Sequence, residues 1–145
     1  ERGIGGRVLA IGFRIDMPDV LAAADAVADL SYEGLGITGT IREAMALGKP
    51  VVASAAGGNP ELVQHEVSGL LVPPRDPTAT ASALSRVLSD PGLVARLGRA
   101  ARERVEKGFS TEVRLDRIEE LYRSLVTSVG ISREGGRREA TTVNR

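Results

Sequence analysis

The apolar positions fall into short unbroken runs that alternate with longer periodic segments. Residues 7–13 (RVLAIGF), 26–30 (AVADL), 49–54 (KPVVAS) and 69–72 (GLLV) are short runs bounded by glycine, proline or charge. Each predicts a buried strand. Between the first two, Asp16-Met17-Pro18 predicts a helix start, with Val20, Leu21 and Ala24 on one face. Ile41, Ala44 and Met45 stand at i, i+3, i+4 and predict a short helix over 40–47, with Gly48 at its C′ position. Gly57-Gly58 predicts a turn, and Asn59-Pro60 a helix running to about His65.

Beyond Pro73-Pro74 the pattern is helical. Asp76-Pro77 and Asp90-Pro91 are matching starts, a side-chain acceptor at N-cap followed by proline at N1. Ala81, Leu84, Val87 and Leu88 mark the first helix; Leu93, Leu97, Ala100, Ala101 and Val105 mark the second. Ser110 begins a third, with Ile118, Leu121, Tyr122 and Leu125 as its stripe. Residues 130–145 carry no period and several charges, and are predicted to be a disordered tail behind a domain at 1–129. Strands alternating with helices predict an α/β fold: a doubly wound parallel sheet of about four strands, followed by C-terminal helices.

Composition narrows this picture. The 145 residues have room for one domain, and an aromatic share of 3% means a core of Val, Leu, Ile and Ala. Lys+Arg and Asp+Glu balance at 19 each, so no global field draws nucleic acid. Without cysteine there is no disulfide framework or thiolate metal site, which fits a reducing, cytoplasmic setting. The longest apolar stretch is broken by Asp25 and Asp29, so no transmembrane segment is expected. The chain opens on Glu1 rather than Met, and is expected to be a piece of something longer.

The candidate chemistry lies in residues 31–46 (SYEGLGITGTIREAMA), a strand end, a glycine-rich turn and a helix start. Such an arrangement brings backbone amides up to a phosphate. Gly34, Gly36 and Gly39 are spaced as in a dinucleotide fingerprint, but that site wants an acid about 20 residues on. The next strand ends Ala53-Ser54-Ala55-Ala56, and no carboxylate appears until Glu61. Glu43 has two readings. Thr40-Ile41-Arg42-Glu43 fits a capping box, while a carboxylate in a first helical turn can also accept hydrogen bonds from the vicinal hydroxyls of a ribose. Glu33 has no helix turn of its own to cap. It is either a ligand contact at the carboxyl end of a strand or an exposed loop acid. His65, alone beside Glu66, is read as a surface residue.

Several blocks in order carry a resemblance: EGLGI at 33–37, EAMALGKPVVAS at 43–54, GGNPELV at 57–63 and SGLLVPP at 68–74, with GFRIDMP at 12–18 upstream and Phe109-Ser110 downstream. From about residue 7 to 125 the chain resembles the C-terminal domain of the family 4 retaining glycosyltransferases. The resemblance implies a GT-B enzyme that moves a sugar from a nucleotide-diphosphate sugar to an acceptor, without a metal or other cofactor. It implies that Glu33 contacts the donor sugar as the catalytic-site glutamate and that Glu43 holds the ribose. Gly34, Leu35, Gly36 and Thr38-Gly39-Thr40 would meet the diphosphate and sugar, with Phe13 and Arg14 near the nucleobase. Peripheral docking of the full-length protein on a membrane is compatible with it. A non-catalytic scaffold and a sugar-nucleotide epimerase of the same fold are the alternatives.

Two departures accompany the resemblance. The family separates its glutamates by seven residues, whereas nine lie between Glu33 and Glu43. Two earlier βα units, with a basic segment that grips the donor phosphates, and an N-terminal acceptor domain are missing. In the expected strand order 3-2-1-4-5-6 this chain would supply strands 3 to 6. The strand at 7–13 would then have lost its neighbours and must re-pair or float. The chain alone is expected to be inactive and marginally folded.

Overall fold

The computed structural model describes residues 3–33 and 36–128. They fall into two compact units, divided between Ser110 and Thr111. The first holds three parallel strands, β1 (Val27–Asp29), β2 (Val51–Ser54) and β3 (Leu70–Val72), in the order β1-β2-β3. Val27 pairs with Val51, and Val52 in turn with Leu70. This is the expected order of the last three strands of a doubly wound sheet.

Around the sheet lie α1 (Met17–Ala23), α2 (Gly39–Ala46), the single turn α3 (Asn59–Leu62), α4 (Pro77–Ser89) and α5 (Pro91–Gly108). All four β2 residues are buried, and successive side chains alternate between two cores. Val51 and Ala53 pack with Leu21 of α1, Ile41 and Met45 of α2, and Ala101 and Val105 of α5. Val52 joins Leu70, Val72, Ala83 and Val87 of α4, and Leu93 and Leu97 of α5 on the other face. One helix, α5, thus serves both layers.

The helix punctuation follows the predicted chemistry. Asp76 Oδ1 accepts from the Ala79 amide at 2.8 Å and Asp90 Oδ1 from the Leu93 amide at 2.9 Å, each followed by proline at N1. Such caps contribute about 1 kcal/mol each. Helix α2 ends in a Schellman motif: Gly48 has φ +70°, the Lys49 amide bonds the Ala44 carbonyl and the Gly48 amide that of Met45. Against this turn lies Gly98 of α5, where a Cβ would stand 2.2 Å from the Gly48 carbonyl oxygen. Only glycine permits that approach.

Three expectations are corrected. Residues 7–13 form no strand: a 3-10 turn occupies Gly5–Arg7, and Val8, Leu9 and Phe13 are 67%, 83% and 94% exposed. The run has the composition of a buried strand but, among the described residues, no strand to pair with. Among the described residues the sheet therefore has three strands rather than about four, and β1 pairs with β2 alone. The helix predicted to reach His65 stops at Leu62, because the chain turns back through Glu66, at φ +62°, to bridge His65 to Gly69. Glu66 holds that turn through two bonds from Arg86, at 2.7 and 3.1 Å. Those bonds keep its carboxyl below the usual range. His65 is an exposed acceptor for the Leu71 amide at 3.0 Å.

The second unit's described part is α6 (Thr111–Ser128), which begins after Ser110 as predicted. Its stripe residues Ile118, Leu121, Tyr122 and Leu125 are all exposed. The predicted tail at 130–145 lies outside the described residues.

Candidate functional site

The carboxyl ends of β1, β2 and β3 release three segments that face one another. The first, after β1, is anchored at its base. Asp29 Oδ1 accepts from the Ser31 amide at 2.9 Å, and the Ser31 carbonyl accepts from the Ser54 hydroxyl at the end of β2. Partial burial pushes the Asp29 carboxyl up, but the Ser31 amide and the nearby hydroxyls of Thr38 and Ser31 outweigh it and hold it below the usual range. The second segment, after β2, closes on the first. A Cβ at Gly58 would stand 2.4 Å from the Ile37 nitrogen, so glycine is required for the contact. Asn59, 3% exposed, donates from Nδ2 to the Ser54 carbonyl at 3.1 Å.

Between these two segments is a void of about 10 Å³, walled by Ser31, Glu33, Gly36 and Thr38 on one side and Gly57 and Asn59 on the other. One buried polar atom of its lining, Asn59 Oδ1, has no hydrogen-bond partner among the described residues. The third segment, after β3, brings Arg75. Its Nη2 donates to Glu33 Oε1 at 2.9 Å, and its guanidinium lies 4.2 Å from the centroid of the Tyr32 ring. Beside it a larger, apolar cavity of about 360 Å³ opens between Leu30, Tyr32, Val72, Pro73 and Leu84.

Helix α2 starts at this junction. Its N-cap is Thr38, with φ −74° and ψ 139°, and no side chain caps it. The first helical bond runs from the Arg42 amide to the Thr38 carbonyl, so the amides of Gly39, Thr40 and Ile41 precede it. The capping box expected at Thr40–Glu43 does not form. The helix starts two residues earlier than that box requires, because the Gly58 contact fixes the chain at Gly36 and Ile37 and the helix begins directly afterwards. Glu43 is exposed, with Oε1 3.5 Å from where a Gly39 Cβ would stand. The carboxylate therefore lies along the uncapped end of the helix without closing it.

The structure brings together Glu33, Gly36 and Thr38 around the small void and Gly39, Thr40 and Glu43 on the helix start. Gly34 and Leu35 lie outside the described residues. Phe13 and Arg14 sit on the exposed N-terminal segment, where Arg14 pairs with Asp16 through a 2.7 Å bond from Nε and a second bond from Nη2. That pair holds the Asp16 carboxyl below its usual range. Sequence reasoning missed Arg75, Tyr32 and Asn59. Arg75 had one local signal, a long side chain between Pro73-Pro74 and Asp76-Pro77, but its partner is 42 residues away. Among the described residues no group of three His, Asp or Glu side chains could hold a metal ion.

Uncapped amides and flanking carboxylates at the carboxyl end of a parallel sheet are a general anion and hydroxyl site. The comparison with known families is more specific. The family described as "Glycosyl transferases group 1" matches residues 1–90. The chain belongs to the group 1 glycosyl transferases. Within that family it is 42% identical over 114 residues to D-inositol 3-phosphate glycosyltransferase of Saccharomonospora viridis, covering 78% of this chain and 26% of that protein. It is 33% identical over 123 residues to UDP-Gal:alpha-D-GlcNAc-diphosphoundecaprenol alpha-1,3-galactosyltransferase of Escherichia coli, covering 84% and 31% respectively. The chain thus spans about a quarter to a third of the curated relatives it matches. Among solved structures, HepE of Anabaena in complex with UDP-glucose superposes with a TM-score of 0.80 at 35% identity, over 84% of this chain and 34% of that one. The C-terminal domain of a group 1 protein, LpcC of Francisella tularensis, superposes at 0.64 with 28% identity, over 70% of this chain and 53% of that domain. The fold of this group 1 chain is therefore that of a GT-B, Rossmann-like domain. No described helix is long and apolar enough to cross a membrane.

Proposed function

We propose that this chain is the donor-binding part of a retaining glycosyltransferase, working in the cytoplasm on a nucleotide-diphosphate sugar, and that it does not transfer sugar by itself. One observation carries the reading. The start of α2 presents amides that no side chain caps, with Glu43 alongside and Glu33 in the loop leading into it, at the carboxyl ends of the strands. The amides of Gly39 to Ile41 and the positive end of the helix dipole suit the charge that grows on a leaving diphosphate. Gly34, Leu35 and Gly36 are proposed to meet the diphosphate and sugar as well. Glu43, left out of any cap, is available to accept from the ribose hydroxyls, and Glu33 accepts from hydroxyls of the donor sugar. A nucleobase role for Phe13 and Arg14 requires the 7–16 segment to come to rest against the sheet. The likeness to HepE, whose complex holds UDP-glucose, supports a uridine nucleotide as the first donor to test.

Calorimetry on the 145-residue chain with UDP-glucose and with a GDP-sugar tests this. Saturable binding of UDP-glucose is expected, and Glu43→Ala should weaken it roughly ten- to hundred-fold with an unchanged melting temperature, since a hydrogen bond to a charged group contributes about 1.5–3 kcal/mol. A folded sample that gives no heat with any nucleotide sugar would leave the scaffold reading instead. Transfer of sugar to an acceptor by this chain alone would overturn the proposed dependence on further domains.

A further inference from the structure

We propose that Arg75 is a positioning residue for Glu33, setting the carboxylate that reads the donor's sugar; this rests on the role given to Glu33 above. Arg75 leaves the backbone from a pinned point. Its φ of +59° is a left-handed conformation that non-glycine residues seldom adopt. On one side the Asp76 amide reaches back to the Pro73 carbonyl at 3.4 Å, and on the other the Asp76 carboxylate caps α4. A residue in that conformation, between a proline and the doubly bonded Asp76, has a narrow choice of side-chain directions.

From there one guanidinium engages two consecutive residues of the opposite loop. Its face lies over the Tyr32 ring at 4.2 Å, and Nη2 donates to Glu33 Oε1 at 2.9 Å. The planar fork can stack and donate at once, which a lysine ammonium cannot. Tyr32 and Glu33 lie in the loop that follows β1, in neither helix nor strand, and the Arg75 guanidinium reaches the Glu33 carboxylate from outside that loop. Among the described residues the bond uses Oε1, and Oε2 remains available to accept from a sugar hydroxyl. An exposed ion pair of this kind contributes little to folding, with side chains 65% and 75% exposed. Its consequence is orientation.

Arg75→Gly separates orientation from folding, because glycine relieves the positive φ while removing the guanidinium. Calorimetry with UDP and with UDP-glucose should show that R75G binds UDP as the wild type does but UDP-glucose about three- to ten-fold more weakly, at an equal or higher melting temperature. Glu33→Gln should give a similar loss, and the double variant no more than E33Q alone, since both act through one carboxylate. Hydrogen exchange of the amides at 32–38 without ligand should be faster in R75G, and Arg75→Lys should restore only part of the wild-type protection. An unchanged UDP-glucose to UDP ratio in R75G, with a wild type that binds both, overturns this inference alone, as does unchanged exchange. A folded wild type that binds neither nucleotide overturns the donor reading and this inference with it.

Discussion

Residues 7–13 and strand β2 are nearly interchangeable as sequence. Both are short, apolar, partly β-branched runs bounded by turn residues. In the structure they are opposites. Val51, Val52 and Ala53 are fully buried, with a strand on each side and a core on each face, while Leu9 and Phe13 are 83% and 94% exposed. The difference lies in what surrounds each run. A buried strand needs partners for its backbone and for both of its faces. β2 receives them from β1, β3, α2, α4 and α5. The N-terminal run receives none among the described residues. Strand propensity states what a segment would do beside a neighbour and nothing about whether one is present.

The contrast can be attacked from its strong side first. Val52→Asp places an unpaired carboxylate in the inner layer and should cost more than about 4 kcal/mol, enough to abolish cooperative unfolding by circular dichroism. A cooperative transition within 1 kcal/mol of wild type would show that β2 is not the buried centre of the sheet. The next largest effect is expected at Gly98→Ala. The new Cβ meets the Gly48 carbonyl oxygen at 2.2 Å, and moving α5 off that turn should cost about 2 kcal/mol in urea denaturation.

Asp29, where β1 gives way to the site, should show a smaller effect that depends on pH. Its folded pKa lies below the ordinary value of 3.8, so its contribution is present above that pH and lost as pH falls through the folded value. Asp29→Asn should therefore cost about 0.5–1 kcal/mol at neutral pH, with the gap to wild type closing below pH 3.8. A gap that widens on acidification would contradict the anchoring role. The smallest change is reserved for the weak side of the comparison. Leu9→Asp should fall within about 0.5 kcal/mol of wild type. A loss approaching that of V52D would mean that the N-terminal run packs against the sheet in solution.

The three strands that form, and α2, α4 and α5, were legible because run length, i, i+3, i+4 spacing and Asp-Pro starts are local signals whose partners are in the chain. The errors arose where a local pattern depended on distant geometry. Thr38 and Thr40 both lie before the apolar face of α2. The choice between them as N-cap is made by Gly58, which pins Ile37 from across the sheet. Glu33 and Glu43 stood out as chemistry, but their relation to the helix start depends on that same contact. Arg75 reaches Glu33 over 42 residues, and no spacing rule covers such a distance.

Helix α2 has one further consequence, for stiffness. Its far end is seated: Ile41, Ala44 and Met45 have no exposed surface, and the turn at Gly48 is pressed against Gly98. Its near end, at Gly39 and Thr40, is exposed and uncapped. The helix is thus a rod clamped at one end, with its compliance concentrated in the first turn, and an anion arriving there would tighten that turn alone. The core behind it need not move, so a ligand can be admitted and released without disturbing the packing that holds the sheet together.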